Sequence, residues 1–317
     1  MRRSDLRIAF LGTPEFALPS LSMLFEEDFG LIQVITQPDR PAGRGHRLSP
    51  PPVKTWALEH GVPVWQPEKL RSEENTSRLR ALGCNLMITA AYGQILSQEI
   101  LDIPALGCIN VHASLLPAYR GASPVVWSLI NGEETAGVST MRTVEALDAG
   151  PVLEQDSVSV GPDMTGGELM SRLSQLGAKT LERTLVKLLE GTLSDHPQAE
   201  AEASYYPVLP KGFGEIDWNH STREVLNFIR ALAPSPGAYI VLPEGERIRV
   251  FAASRREGQG KPGEIVFRDP KQGLVIAARD GLVSLDEIKR PGSRRMRAAD
   301  SLRGRGIGAD RVREARV

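Results

Sequence analysis

Asn110-Val111-His112 puts a carboxamide and an imidazole two residues apart at the end of an apolar run. On an extended strand that spacing turns both side chains to one side. Polar groups held there need partners, and the plainer reading of any Asn-x-His is a core histidine bonded to a carbonyl beside an asparagine that caps a turn. Two further features move the balance toward chemistry: the Ser114-Leu115-Leu116-Pro117 turn that follows, and Asp148 within the glycine-flanked Ala146-Leu147-Asp148-Ala149-Gly150-Pro151. A carboxylate, an imidazole and a carboxamide together suit acyl transfer to an amine. Negative charge develops on the carbonyl oxygen as the amine attacks, and each donor placed to meet it contributes about 3 to 4 kcal/mol. A protonated His112 is expected as one donor and Asn110 as a neutral second, with Asp148 raising the basicity of His112 and fixing its orientation. The amine attacks directly, so no serine or cysteine nucleophile is required.

The elements that must position these groups are legible as alternation. Residues 7–11, 31–36, 86–89 and 108–111 read as buried strands, and residues 16–25, 53–60 and 73–82 between them read as amphipathic helices. Such alternation predicts an α/β, Rossmann-like domain with a mostly parallel sheet covered on both faces. Ligands bind beyond the carboxyl ends of the strands in such sheets, which points to the loops after Leu11, Thr36, Thr89 and Val111. The first of these, Gly12-Thr13-Pro14-Glu15-Phe16, has Thr13 as a candidate helix cap and Pro14 for the first turn. It is not a G-x-G-x-x-G fingerprint, which disfavours a nicotinamide enzyme.

A strand-like stretch at 137–144 is followed by one long amphipathic helix at 165–190, and then the chain turns polar. The expected domains are therefore 1–190, carrying the chemistry, a linker at 191–206, and 207–317. In the last, short strands at 238–242, 247–252, 263–267, 273–277 and 281–285 separated by turn residues predict an OB-like β-barrel, a fold with an aptitude for nucleic acid.

Bulk properties agree with two domains, because 317 residues exceed the usual limit of one core. Hydrophobic residues at 41% and charged residues at 24% exclude disorder and fibrous architectures. The net charge of -1 conceals an uneven distribution: residues 290–317 hold nine arginines against Asp300, Asp310 and Glu314, a surplus of +6 that leaves -7 elsewhere. Such a basic tail suits phosphate contact as well as it suits a solvated helix. Cys84 and Cys108 each follow a glycine and suit buried thiols rather than a disulfide. The five histidines are scattered, with no metal-ligand spacing. The apolar run at 8–11 is too short for a secretory signal, and no run approaches the roughly 18 apolar residues of a membrane span. A cytoplasmic location with no membrane partner is expected, and nothing demands a second subunit, so a monomer is expected too.

Asn110-Val111-His112, Ser114 to Pro117, Arg120-Gly121 and Leu147-Asp148-Ala149-Gly150 together resemble the signature of the folate-dependent formyltransferases. That resemblance implies a catalytic trio of Asn110, His112 and Asp148, and a folate-binding turn of Ser114, Leu115, Leu116 and Pro117. Ala90-Ala91-Tyr92-Gly93-Gln94-Ile95-Leu96 is similar to the family's pterin-side loop, which implies that Ala91, Tyr92 and Gly93 bind the co-substrate, 10-formyltetrahydrofolate, without a metal. Relatives that formylate glycinamide ribonucleotide or an aminosugar nucleotide share this much and supply the alternative reading. Residues 36–47 resemble the inserted loop that methionyl-tRNA formyltransferases press against the acceptor stem. Gly43 and Gly45 there permit close approach, while Arg40, Arg44 and Arg47 suit phosphates or base edges. Gly214 to Trp218, Ile229-Arg230-Ala231, Pro236-Gly237-Ala238 and Pro262 to Ile265 are similar to that family's barrel. The implied activity is transfer of the formyl group of 10-formyltetrahydrofolate to the α-amino group of initiator methionyl-tRNA, as needed in translation initiation. Departures are Ala113 where glycine is common, Ala149 where threonine is common, and a less polar Lys211-Gly212-Phe213.

Overall fold

The computed structural model describes residues 1–42, 47–210 and 212–315. The chain forms two compact units: Met1–Pro124, Thr135–Ser159 and Met170–Tyr206 make the first, and Val125–Glu134, Val160–Leu169 and Pro207–Val317 the second. Two short segments of the N-terminal half thus cluster with the C-terminal unit.

The first half runs β1 (Ile8–Gly12), α1 (Leu18–Glu26), β2 (Leu31–Ile35), β3 (Arg40–Ala42), β4 (Arg47–Ser49), α2 (Pro52–Glu59), β5 (Val64–Trp65), α3 (Glu73–Leu82) and β6 (Leu86–Ala90). It continues with α4 (Gln98–Leu101), β7 (Cys108–His112), β8 (Arg120–Gly121), α5 (Pro124–Ile130), β9 (Thr135–Arg142), β10 (Val152–Ser159), α6 (Gly166–Glu190) and β11 (Tyr205–Tyr206). Seven strands form one sheet in the order β10-β9-β7-β6-β1-β2-β5. The five from β7 to β5 are parallel, whereas β9 and β10 add an antiparallel edge. Strands β1 and β6 are buried at every position, which is why they read as unbroken apolar runs rather than alternating ones. Edge strand β10 differs: after two buried residues it alternates half-buried with exposed ones, and sequence reasoning did not assign it.

Local chemistry sets the helix ends. In α3 the Ser72 hydroxyl accepts from the Asn75 amide, and Gly83 takes the left-handed conformation that ends the helix (φ 63°). Thr13 departs from the sequence expectation: its hydroxyl donates to the Tyr92 carbonyl at 2.9 Å instead of capping a helix. A 3-10 turn at Glu15–Ala17 intervenes, so α1 starts only at Leu18 and it is Pro19 that occupies its first turn.

The second unit carries α7 (Thr222–Leu232), β12 (Ala238–Val241), β13 (Arg247–Arg256), β14 (Ile265–Asp269), β15 (Gly273–Ala278), β16 (Gly281–Lys289), β17 (Met296–Arg297) and α8 (Ala298–Gly304). Its sheet is antiparallel in the order β12-β13-β16-β15-β14, with β17 added to β16. No ladder joins β12 to β14 among the described residues, the open form of the expected barrel. The sheet encloses Ile240, Ile248, Val250, Ile276, Val283 and Leu285 against Val225, Ile229 and Leu232 of α7. A reciprocal cap between Ser221 and Glu224 starts α7.

The arginine-rich end is not uniformly available to a partner. Arg290 is 6% exposed and forks onto Glu246 at 2.8 and 2.6 Å, and Arg313 pairs with Glu215 at 3.0 Å. Arg294 and Arg297 are exposed. Both cysteines are free and buried. Among the described residues no helix is long and apolar enough to cross a membrane, and no cluster of side chains could hold a metal.

Candidate active site

Asn110 and His112 stand at the carboxyl end of β7, where the parallel register sets Asn110 beside Thr89 of β6. The Thr89 hydroxyl donates to Asn110 Oδ1 at 2.8 Å, which orients the amide and leaves its donor nitrogen with no partner among the described residues. His112 is 7% exposed. Its Nε2 lies 3.1 Å from the Tyr119 carbonyl, and a carbonyl only accepts, so Nε2 carries a proton. The other nitrogen, Nδ1, faces Asp148 Oδ1 at 3.7 Å, beyond direct hydrogen-bond reach. The second Asp148 oxygen accepts from the Gly121 amide at 2.8 Å.

The three sequence-derived residues therefore converge. With Nε2–H engaged by Tyr119, the donor expected of a protonated His112 falls to Nδ1. The free nitrogen is the one that looks toward the carboxylate.

Backbone strain collects here. The non-glycine residues with left-handed backbone, among those described, are Asp28, Ala91, Tyr119 and Asp148. All but the first belong to this neighbourhood, and each costs about 1 to 2 kcal/mol relative to ordinary backbone. Strain of this kind persists where surrounding bonds over-determine it.

The turn at Ser114 to Pro117 is bound from beneath. Ser139 Oγ donates to the Ser114 carbonyl at 2.7 Å and accepts from the Leu116 amide at 3.0 Å. Gln155 Nε2 adds bonds to Leu116 O (2.9 Å) and Ser139 Oγ (2.8 Å). Ser114 spends its hydroxyl on Ala118 O, and Leu116 is buried with Met141 and Val152, so Leu115 and Pro117 are the half-exposed members. The loop after β6 presents Ala91 and Gly93 to the exterior, whereas Tyr92 is 4% exposed in the core. Its carbonyl accepts from Thr13 (2.9 Å) and Gln37 (3.3 Å). Its phenol is buried with no partner among the described residues, and burial pushes its pKa above the usual tyrosine value.

Of the three loop arginines, Arg40 is exposed on β3 and Arg47 lies on β4, its side chain outside the described residues, as is all of Arg44. The two strands pair antiparallel, Arg40 opposite Ser49. Asp39 anchors their base through Gln66 (2.8 Å) and Lys54 (2.8 Å), which hold its carboxyl below the usual range.

Sequence reasoning placed Arg120 in the signature without a role and missed the residues that brace this site with it. Arg120 is 0% exposed and spends its guanidinium on Glu200 (2.8 and 3.1 Å), Gln198 (3.0 Å) and the Tyr205 hydroxyl. Gln198, Glu200 and Ser204 lie in the stretch expected to be a linker, whose polarity suggested solvent. Instead β11 pairs parallel with β8, so closely that a Cβ on Gly121 (φ 113°) would sit 2.1 Å from Tyr206 O. A separate hollow of about 460 Å³, lined by Met23, Trp56 and Lys179 among others, contains none of the trio.

Residues 6–185 match the family model described as formyl transferase, and residues 209–306 the one described as formyl transferase, C-terminal domain. The methionyl-tRNA formyltransferase of Ruminiclostridium cellulolyticum is 46% identical over 95% of this chain and 97% of its own length. That of Geobacter metallireducens is 45% identical over 95% of this chain and 96% of its own. Among solved structures, HypX from Aquifex aeolicus in complex with tetrahydrofolic acid superposes with a TM-score of 0.61 at 19% identity. That likeness is one of fold and covers 94% of this chain but 47% of HypX. With both halves matched by family models and near-half identity sustained over almost the whole length, the chain belongs to the formyl transferase family, among the methionyl-tRNA formyltransferases.

Proposed function

We propose that this chain transfers the formyl group of 10-formyltetrahydrofolate to the α-amino group of methionine on initiator tRNA, acting as a single chain in the cytoplasm. The observation that carries the chemistry is the convergence of Asn110, His112 and Asp148 beyond the end of β7. The acceptor follows from relatives that share nearly half of all residues over the full length and bear that activity in their names.

The site residues fit a folate. The loop after β6 leaves Ala91 and Gly93 exposed for a flat ring to approach, and the turn after β7 leaves Leu115 and Pro117 half-exposed. The folate supplies a formyl carbon activated on N10. Asn110 Nδ2, held outward by Thr89, donates to the formyl oxygen as charge develops on it, a contribution of about 3 to 4 kcal/mol. His112, with Nε2–H committed to Tyr119, offers Nδ1 as the base for the attacking amine. Asp148, 3.7 Å away, stabilises the imidazolium that results. A bond forms from the amine nitrogen to the formyl carbon as the carbon–N10 bond breaks, and the proton His112 takes is the one N10 requires. On the acceptor side, Arg40, Arg44 and Arg47 of the loop and exposed arginines such as Arg294 and Arg297 contact tRNA phosphates.

Incubation with labelled formyl-folate and a mixture of charged initiator tRNA, charged elongator methionine tRNA and an aminosugar nucleotide tests this. Label is expected on the initiator. Label on the sugar alone would overturn the acceptor assignment, and label on none would overturn the activity.

A further inference from the structure

We propose that Gln198 is a positioning residue for formyl transfer, holding the Asp148 loop in the backbone conformation that sets its carboxylate against His112. The inference rests on the catalytic reading of His112 and Asp148 given above.

Gln198 lies 50 positions from Asp148 in the chain, yet its Nε2 donates to both Asp148 O (2.8 Å) and Gly150 O (2.7 Å). Those two carbonyls bracket Ala149 and fix the direction of the loop. Asp148 itself has φ 48°, a conformation a residue with a Cβ leaves unless it is held. The Gln198 amide cannot turn over, because Arg120 Nε donates to its Oε1 at 3.0 Å. Arg120 in turn is fully buried, and a buried guanidinium tolerates little displacement from its partners, here Glu200 at 2.8 Å and the Tyr205 hydroxyl. A chain of contacts thus runs from the exposed Glu200 through buried Arg120 and Gln198 to the Asp148 backbone. The side chain of Asp148 is held from the same place, by the amide of Gly121 next to Arg120.

The same segment reaches the opposite side of the imidazole. Ser204 Oγ accepts from the Tyr119 amide at 2.9 Å, and Tyr119 gives its carbonyl to His112 Nε2. Residues 198–204 therefore brace one partner for each ring nitrogen: Tyr119 for Nε2, through Ser204, and Asp148 for Nδ1, through Gln198. Gln198 bonds to neither His112 nor Asn110 among the described contacts, so its effect passes through Asp148.

Gln198→Leu keeps the volume and removes the amide. Its kcat is expected to fall roughly 30-fold with KM for both substrates within about twofold, the signature of an interaction that matters in the transition state. In an Asp148→Asn background the same change should cost less than about threefold, because residues acting in one chain are not additive. A crystal structure of Gln198→Leu should show Asp148 out of the left-handed region and its carboxylate displaced from His112. Gln198→Glu keeps an acceptor for Arg120, removes both donors and sets a carboxylate oxygen against the two carbonyls, so it too releases the loop and gives the same readings if the leucine variant does not fold. An equal fall in both backgrounds, a change confined to KM, or an Asp148 loop that stays in place would overturn the proposal. A wild-type chain that transfers no formyl group overturns the functional reading instead, while the crystal structure still decides whether Gln198 holds the loop.

Discussion

His112 Nε2 donates to the carbonyl of Tyr119 at 3.1 Å, and this one bond decides which nitrogen of the ring faces Asp148. The carbonyl points there because Tyr119 has left-handed backbone (φ 59°), an unusual state for a bulky residue. A conformational cost at one residue thus fixes the tautomer of another. His112→Ala should lower the single-turnover rate by roughly a hundredfold or more, since it removes the proton acceptor. Affinity for tRNA should be little changed, and near-normal turnover would show that Nδ1 is not the base.

Thr89 is the orienting partner of Asn110. Thr89→Val removes that hydrogen bond at nearly constant volume and frees the amide to rotate. A bond of this kind is worth about 1 kcal/mol, so kcat should fall roughly five- to tenfold. Asn110→Ala, which deletes the donor itself, should cost on the order of a hundredfold. A Thr89→Val enzyme as fast as wild type would mean that the amide is oriented by something else.

Arg290 and Glu246 form a buried ion pair, with side chains 7% and 9% exposed. Glu246→Ala strands a buried guanidinium and should destabilise the protein by about 3 to 5 kcal/mol, readable by chemical denaturation. The pair also sets a pH dependence. Hydrogen bonds from Arg290 hold the Glu246 carboxyl below its ordinary value of 4.5. A folded pKa below the unfolded one gives stability that is fully present above the unfolded value and is lost as pH falls through the folded one. The stability gap between wild type and Glu246→Gln should therefore be constant from pH 7 down to the ordinary value and close at lower pH.

Binding of tRNA through arginines releases counterions from the phosphates, so affinity should fall steeply, by tenfold or more, between about 50 and 200 mM salt. Arg40→Ala should weaken binding and reduce the slope of log affinity against log salt by about one if Arg40 meets a single phosphate. An affinity indifferent to salt would remove the electrostatic basis of the docking.

Most of the parallel sheet is legible in the chain because buried strands are continuous apolar runs: residues 86–89 and 108–111 differ from β6 and β7 by a single terminal residue. Edge strand β10 escaped because half of it faces outward and dilutes the apolar signal. The trio is legible because Asn110 and His112 share one strand and Asp148 sits in a recognisable loop. Gln198, Glu200 and Ser204 escaped for the opposite reason: a polar stretch with no periodicity reads as solvated, as Glu200 largely is, and only the folded chain beside β8 reveals that Gln198 and Ser204 bond to the site loops and Glu200 to buried Arg120. Arg290 misled in the same way, its charge counted toward a basic surface although Glu246 neutralises it in the interior.

Residue types and their spacing suffice to say that a carboxamide and an imidazole emerge together from a buried strand and that an acid and an arginine-bearing loop accompany them. That much is local, since a strand's two-residue period is a property of the backbone alone. Which nitrogen of His112 bears the proton, which end of Asn110 is free, and what holds Asp148 depend on partners 7, 21 and 50 residues distant. Hydrogen bonds act over about 3 Å, so those answers exist only once the folded chain has brought Tyr119, Thr89 and Gln198 into contact with them.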